Sequence, residues 1–373
     1  MRFSFLLWLF PILGSGFTLL PFIKVSNLMV HKNKMNDKQA VRELTMQKLT
    51  KIDDFKLHLR EGSPLRTFIS KKVKGFSELS RIQKNFIPTT ILIFLSGLVT
   101  NPQYVRTWII SKEFLSSFVM VHLLTSASMI INDVYDVNID KINNPQRPLV
   151  TKTVSIKEAL GMFAFLVSIY CILGFNYLSV LTPIWFTSLL GIILYTPIFK
   201  RIPLVKNLLC SSIVTMVIPF VGYSTVFFLP QLATPVPNWM LFTMELIFLH
   251  SLYIEVLLDI LDEHGDKANK IYTFPVIIGK KNTFHLLLLT LVGSFYGMLF
   301  NIVHTIGITS NVKELYKTIM MIVALSVTFH PLLLNSGEIM EKKYNPEIIK
   351  NAIYTTSISM FNYMIVYLCS LFI

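Results

Sequence analysis

Two groups of three aspartates occur in this sequence with the same spacing, a step of three residues and then a step of four. The groups are Asp133, Asp136 and Asp140, and Asp259, Asp262 and Asp266. Each group follows a long apolar run, and in a continuing helix this spacing places all three carboxylates on one face. Like charges so close together repel one another unless a cation holds them. We therefore expect one divided metal site, with Asn132 beside the first group.

Carboxylate oxygens are the ligands that Mg²⁺ prefers, and protein magnesium sites commonly combine one or two carboxylates with substrate phosphates. The pattern therefore predicts Mg²⁺ as the cofactor and a diphosphate as its partner. Short loops supply donors for the remaining phosphate oxygens: Arg147, Lys200, Arg201 and Lys206. Arginine in particular suits bidentate contact with phosphate. The alternative for each basic residue is a topology determinant at the lipid headgroups, and the alternative for the aspartates is a solvated helix end.

The composition is that of a polytopic membrane protein. The chain has 373 residues, of which 53% are apolar and 15% are charged, whereas a soluble domain has about 25% charged residues. The formal net charge of +13 does not indicate a nucleic-acid partner, because the basic residues lie in the N-terminal segment and in short loops between apolar runs. Cys171, Cys210 and Cys369 lack the spacing of metal ligands, and we interpret them as small apolar residues.

The apolar runs predict an all-α membrane bundle of about nine transmembrane helices. The expected spans are residues 84–100, 114–132, 156–175, 178–198, 204–228, 239–260, 282–304, 315–335 and 353–373. Three of the connections together carry eleven basic residues, while residues 227–238 on the opposite side carry no charge. The positive-inside rule therefore places both aspartate groups on the same, cytosol-like side of the membrane.

The N-terminal part has the character of a targeting segment. Residues 1–22 contain a short apolar core that ends in small residues, which suits a signal-like segment, and residues 23–75 form a basic targeting or surface segment. This order resembles the bipartite presequence of secondary plastids and predicts a plastid membrane of an alga, otherwise the endoplasmic reticulum or the mitochondrial inner membrane. A plain signal anchor is the alternative. Residues 76–373 form the membrane domain.

Three segments carry a resemblance to a known family. The segment NDVYDVNIDKINNPQRPL (132–149) is similar to the first signature of the UbiA-type intramembrane prenyltransferases. The segment DILDEHGDKANKIYTFPVIIGKK (259–281) looks like their second signature, and YTPIFKRIPLVKN (195–207) resembles their basic loop after the fourth span. The resemblance covers roughly residues 76–373. It implies an all-α bundle around a central cavity, in which Mg²⁺ binds a prenyl diphosphate.

The resemblance also implies roles for individual residues. The metal-binding positions would be Asn132, Asp136, Asp262 and Asp266, with Asp133, Asp140 and Asp259 as supporting members. Asp136, Asp262, Lys200 and Arg147 would carry catalysis, and Arg81 would join the basic residues at the diphosphate. Tyr195 and Tyr223 are candidate aromatic side chains at the same site, with interfacial packing as the alternative.

The activity that this resemblance implies is the transfer of an isoprenyl group from a prenyl diphosphate to a small-molecule acceptor inside the membrane. The acceptor in the family is most often an aromatic ring. Parts of the signatures are similar to the homogentisate prenyltransferases, and others to the chlorophyll-synthase and glyceryl-ether branches. A terpene cyclase of the same superfamily is the first alternative. A cation transporter is the second, although its site belongs near the bilayer midplane, whereas the aspartates lie at helix ends.

We expect the loops 141–155, 200–206 and 266–281 to share one side of the membrane, because their basic residues hold them there. Single engineered cysteines in each loop should therefore react alike with a membrane-impermeant thiol reagent applied from one side. Opposite labelling of loops 141–155 and 266–281 would separate the two aspartate groups and contradict the single-site prediction.

Overall fold

The computed structural model describes residues 64–226, 238–306 and 312–371. The helices in the first half are α1 (Pro64–Ser80), α2 (Ile82–Thr100), α3 (Val105–Trp108), α4 (Lys112–Tyr135), α5 (Val137–Asn143), α6 (Ile156–Tyr177) and α7 (Thr182–Tyr195). Those in the second half are α8 (Val205–Thr215), α9 (Val217–Ser224), α10 (Asn238–Ala268), α11 (Phe274–Ile306), α12 (Val312–Glu341) and α13 (Pro346–Ser370). No strand occurs in these residues, which confirms the all-α class.

The described residues contain eight helical segments that are long and apolar enough to cross a membrane. The expected span at 178–198 corresponds to Ser179–Tyr195, an apolar helical segment too short to be counted with them. Large apolar side chains cover the outside of the bundle, among them Leu289 and Phe300, which are 71% and 67% exposed. A soluble protein does not expose so much apolar surface. The chain is therefore an integral, multi-pass membrane protein.

One span is broken where the sequence contains Pro219. Proline has no N–H to donate to the carbonyl four residues earlier, which belongs to Thr215. Helix α8 ends at that residue and α9 begins at Val217, so Met216 lies at the break between them. The two halves pack on different neighbours, α8 against α10 and α9 against α2.

The predicted N-terminal boundary of the membrane domain, at residue 76, falls within a helix. Helix α1 runs across position 76 and packs on α4. Lys72 Nζ donates to Glu158 Oε2 at 2.8 Å, and Leu79 is fully buried. Residues upstream of α1, which include the signal-like segment, lie outside the described residues, so that division of the chain stays a prediction.

Two membrane helices, α2 and α6, end in the same type of tight corner, in which a tryptophan packs on a glycine of the helix. At the end of α2, the Trp108 indole Nε1 donates to the carbonyl of the C-cap residue Asn101 at 2.8 Å, and its ring lies over Gly97. At the end of α6, Trp185 donates to the C-cap carbonyl at 3.1 Å and lies over Gly174. In both corners the tryptophan follows the glycine by eleven residues. An added Cβ would lie 2.8 Å from the indole ring in each case, so both corners require glycine.

Substituting Gly174 by alanine should therefore destabilise the bundle by about 1–3 kcal/mol, because the buried indole of Trp185 has no room to move. Gly161→Ala is the matched control on the same helix, since a Cβ there meets nothing within 4 Å. Thermal unfolding in detergent, followed by tryptophan fluorescence, measures both. Equal melting temperatures for the two variants would show that the corner tolerates the added methyl group.

Candidate active site

Both aspartate groups meet at one cavity of about 1570 Å³ inside the bundle. Asn143, at the end of α5, and loop residues 144–148 after it form part of its wall. Its acidic and amide lining includes Asn132, Asp136, Asp140, Asp259, Asp262 and Asp266, and its basic lining includes Arg81, Arg147, Lys200 and Lys206. The structure thus brings together side chains from the ends of α4 and α10, as the spacing predicts.

Asp133 lies behind this wall and holds two arginines that line it. Its side chain is 1% exposed. Arg81 Nη2 donates to Asp133 Oδ1 at 2.7 Å, and Arg147 Nη1 donates to Oδ2 at 2.9 Å and to Oδ1 at 3.1 Å. One carboxylate between two guanidinium groups leaves a net positive charge at the wall. Asp133 therefore positions the two arginines and does not itself line the cavity.

Arg81 stands at the corner between α1 and α2 in a left-handed backbone conformation, with φ 51° and ψ 24°. This region is uncommon for a residue other than glycine and costs about 1–3 kcal/mol, so the surrounding contacts must hold it. Its Nη1 contacts the Met129 sulfur at 3.0 Å, and within the described residues its buried Nε has no hydrogen-bond partner. The residue lines the cavity, where a guanidinium group is suited to contact a phosphate oxygen.

Asp136 caps the C-terminus of α4 and accepts two hydrogen bonds. Lys200, from the turn before α8, donates to its Oδ2, and Asn132 Nδ2 donates to the same oxygen at 2.8 Å. Asp140, one turn further along on α5, accepts from Asn144 Nδ2 at 3.0 Å. Burial raises the pKa of the Asp140 carboxyl above its ordinary value, although this hydrogen bond lowers it.

In the second aspartate group, as in the first, the first aspartate holds basic or amide side chains and the later ones face the cavity. Asp259 is buried, and Lys206 and Asn207 from the first turn of α8 both donate to it, the amide at 3.0 Å. The first aspartate of each group is thus engaged by positively charged or amide side chains from neighbouring elements. Asp262 and Asp266 make no ion pair in the described part of the chain and are left for other ligands.

Asn143, the last residue of α5, joins the two groups. Its Nδ2 donates to Asp262 Oδ1 at 3.3 Å. The side chain lies directly on the backbone of α10 at Gly265, where an added Cβ would approach its amide atoms to 2.3 Å. Glycine at this position therefore allows α5 to reach α10.

The residues that face the cavity are suited to Mg²⁺ but do not form a complete metal site by themselves. Within residues 64–226, 238–306 and 312–371, no three Asp, Glu, His or Cys side chains lie close enough together to hold a metal ion. The available donors are the hard oxygens of Asn132, Asp136, Asp140, Asp262 and Asp266. Mg²⁺ commonly takes part of its ligands from substrate phosphates, so this divided donor set fits a metal ion that arrives with a diphosphate.

Besides Asp133, two of the residues expected at the site do not line the cavity. Arg201 is exposed, because it follows Lys200 in a tight turn in which consecutive side chains point in different directions. Tyr223 lies on α9, beyond the break at Met216, and packs among the apolar side chains of the bundle. Tyr195, at the end of α7, does line the cavity.

The cavity also contains residues that the sequence reasoning did not select. Glu255 lies one turn before Asp259 on α10, and its signal was a glutamate within an apolar run, which Glu245 in the same run shares. Cys210 on α8 and Thr273 before α11 line the same space. Thr273 Oγ1 is buried without a hydrogen-bond partner in the described residues.

The deep end of the cavity is apolar and aromatic. Val121, Tyr170, Trp185 and Phe220 line it, and the Tyr170 hydroxyl is used by a hydrogen bond to the Trp185 carbonyl at 2.8 Å. A site with oxygen ligands and cations at one end and a dry, aromatic wall at the other can hold an amphiphilic anion.

Comparison with known proteins gives a family match. The model of the UbiA prenyltransferase family matches residues 87–334. A digeranylgeranylglyceryl phosphate synthase of Sulfurisphaera tokodaii is 30% identical over 248 residues, covering 63% of this chain and 83% of that protein. The protein of the same name from Methanosarcina mazei is 32% identical over 176 residues, covering 46% and 57%. These relatives carry the glyceryl-ether name and not the homogentisate or chlorophyll-synthase names.

Solved structures share the fold. A UbiA homolog from Archaeoglobus fulgidus, bound to GPP and Mg²⁺, superposes with a TM-score of 0.55 at 14% identity and covers 78% of this chain and 99% of its own. A structure described as giving insights into digeranylgeranylglyceryl phosphate synthase in membranes has a TM-score of 0.53 at 21% identity, with 80% and 98% covered. At these identities the similarity concerns the fold.

We expect Gly265→Ala to raise the Mg²⁺ concentration needed for half-maximal activity by about tenfold, as the loss of an outer-shell contact does. The added methyl group displaces Asn143 and breaks its hydrogen bond to Asp262. Gly293→Ala on α11 is the control, because a Cβ there meets nothing within 4 Å. An unchanged Mg²⁺ requirement in Gly265→Ala would show that the hydrogen bond between Asn143 and Asp262 does not contribute to metal binding.

Proposed function

The chain belongs to the UbiA prenyltransferase family, and from this premise we propose that it transfers a geranylgeranyl group to the hydroxyl of a glyceryl phosphate lipid. The membrane prenyltransferase activity comes with the family. The proposal adds the donor, the acceptor, the metal ion and the residues that bind them. It rests above all on a single cavity in which both aspartate groups meet basic side chains, among them Arg147 and Lys200.

The diphosphate of the donor binds at the polar end of the cavity in this proposal. Arg81 and Arg147 reach it as a pair, because Asp133 holds both guanidinium groups at the wall. Lys200 leaves its ion pair with Asp136 to bind a phosphate oxygen, which frees that carboxylate for the metal ion. Lys200 thus exchanges its charge-assisted contact with Asp136 for one with the phosphate, and Asp136 exchanges its contact with Lys200 for one with the metal ion.

When bound, Mg²⁺ supplies positive charge that neutralises the leaving diphosphate, and we assign its ligands to Asn132, Asp136, Asp140, Asp262 and Asp266. Arg147 and Lys200 also stabilise the leaving diphosphate, since their charges lie where negative charge develops as the allylic C–O bond breaks. The deep aromatic wall keeps water from the prenyl group and offers ring faces to an allylic cation. Asp133 and Asp259 act on this account by positioning basic residues.

A glyceryl phosphate acceptor fits the cavity mouth better than a small aromatic acceptor does. The donor already occupies the inner basic residues, so a second phosphate needs cations of its own. Lys84 on α2 and Lys350 on α13 line the cavity and are exposed, so a phosphate can reach them, and Lys350 would exchange its exposed ion pair with Glu347 for that contact. The relatives carry the name of a synthase of a doubly geranylgeranylated glyceryl phosphate. A second lipid chain would extend into the same apolar interior.

The organelle remains a proposal from the sequence. A signal-like segment before a basic stretch supports a plastid membrane, or else the endoplasmic reticulum or the mitochondrial inner membrane. N-terminal sequencing of the mature protein tests it, because an intact Met1 would favour a signal anchor.

We expect purified protein to join geranylgeranyl diphosphate to geranylgeranylglyceryl phosphate when Mg²⁺ is present, and to do so faster than to an aromatic acceptor such as homogentisate. Mass spectrometry of the extracted lipids, with release of diphosphate in parallel, measures both. Asp136→Ala and Asp262→Ala should abolish turnover, because each removes a proposed metal ligand, and membrane insertion should persist.

Lys350→Ala serves as a selective variant. It should raise KM for the glyceryl phosphate acceptor and leave KM for the donor unchanged. Faster prenylation of the aromatic acceptor would contradict the proposed acceptor class, and a cyclic product formed without any acceptor would favour the terpene cyclase.

A further inference from the structure

Glu255 is a cavity carboxylate that belongs to neither aspartate group. It lies on α10 four residues before Asp259, and therefore on the same face. The helical rise of 1.5 Å per residue places it about 6 Å deeper in the bundle. None of the ion pairs formed within the described residues involves it. Lys206 and Lys200, the two basic residues that act on its carboxylate, are paired with Asp259 and Asp136.

Two polar side chains from other elements surround Glu255. These are Cys210 on α8 and Tyr195 at the end of α7, whose side chains lie within electrostatic range of the Glu255 carboxylate. All three residues line the cavity. A carboxylate inside a membrane helix is costly and is found where it has a function, and this one lines the cavity without forming an ion pair within the described residues.

Glu255 lies at the depth that the proposed binding of the donor gives to its reacting carbon. With the diphosphate among Asp136, Asp262 and Arg147, the prenyl chain runs inward towards the aromatic wall, so its first carbon lies just below the aspartates. An acceptor hydroxyl must meet that carbon in order to react. The carboxylate one turn below Asp259 is then the acidic side chain beside the reacting atoms.

We propose that Glu255 is a catalytic residue that binds the acceptor hydroxyl and takes its proton, a role that rests on the function proposed above. In this step the bond between the allylic carbon and the diphosphate breaks, and its electron pair leaves with the diphosphate. The acceptor oxygen forms a new bond to that carbon, and its O–H bond breaks as the proton passes to the Glu255 carboxylate. Tyr195 and Cys210 orient this carboxylate towards the hydroxyl.

Glu255→Gln tests the role, because glutamine keeps the shape and a hydrogen-bond acceptor but cannot take a proton. Transfer to geranylgeranylglyceryl phosphate should fall by about a hundredfold or more, the usual contribution of a general base. Binding of radiolabelled geranylgeranyl diphosphate in the presence of Mg²⁺ should be unchanged. Glu245→Gln is the matched control: it is the same substitution on the same helix, at an exposed position outside this cavity.

A thiol acceptor separates a catalytic role from a structural one. A thiol ionises at much lower pH than an alcohol and needs less help from a base. With an acceptor analogue in which the hydroxyl is replaced by a thiol, the deficit of Glu255→Gln should shrink to about tenfold or less. A wild-type rate in Glu255→Gln, an equal deficit with both acceptors, or a parallel loss of donor binding would each overturn the inference. Failure of the wild-type protein itself to prenylate the acceptor would instead refute the proposed function.

Discussion

The arrangement of the site depends on the buried carboxylate of Asp133. It holds Arg81, from a strained corner between α1 and α2, and Arg147, from the loop after α5. A buried carboxylate that loses its partners costs several kcal/mol, so the three groups constrain one another. This constraint fixes the loop over the end of α4 and keeps two guanidinium groups at the cavity wall.

The second half of the site repeats this principle with different residues. Asp259 holds Lys206 and Asn207 at the start of α8, as Asp133 holds the two arginines. In both halves a carboxylate outside the proposed metal ligands sets the position of positive charge. The cavity can thus hold several carboxylates close together without a bound cation, and the same basic side chains are available to an anionic substrate.

At the end of the bundle opposite the aspartates, the free carbonyl groups at the ends of α2 and α6 receive hydrogen bonds. Both Trp108 and Trp185 donate to the C-cap carbonyl of a membrane helix while covering a glycine of that helix. Such a carbonyl is costly to leave unpaired in hydrocarbon. The Trp185 corner also forms part of the apolar wall, so a device that closes a helix end shapes the space for the prenyl chain.

The all-α membrane class, the approximate spans and the meeting of two aspartate groups at one end of the bundle were predictable from the residues alone. Length, hydrophobicity and helical spacing are local properties, and the helical period alone sets which residues share a face. Which face of a helix packs against which neighbouring helix depends on the folded bundle. Only packing showed that Asp133 lies behind the wall, that Arg201 and Tyr223 lie outside the cavity, and that Glu255 faces it. These outcomes depend on the rotation of each helix against the others, and side-chain contacts between elements far apart in the chain set that rotation.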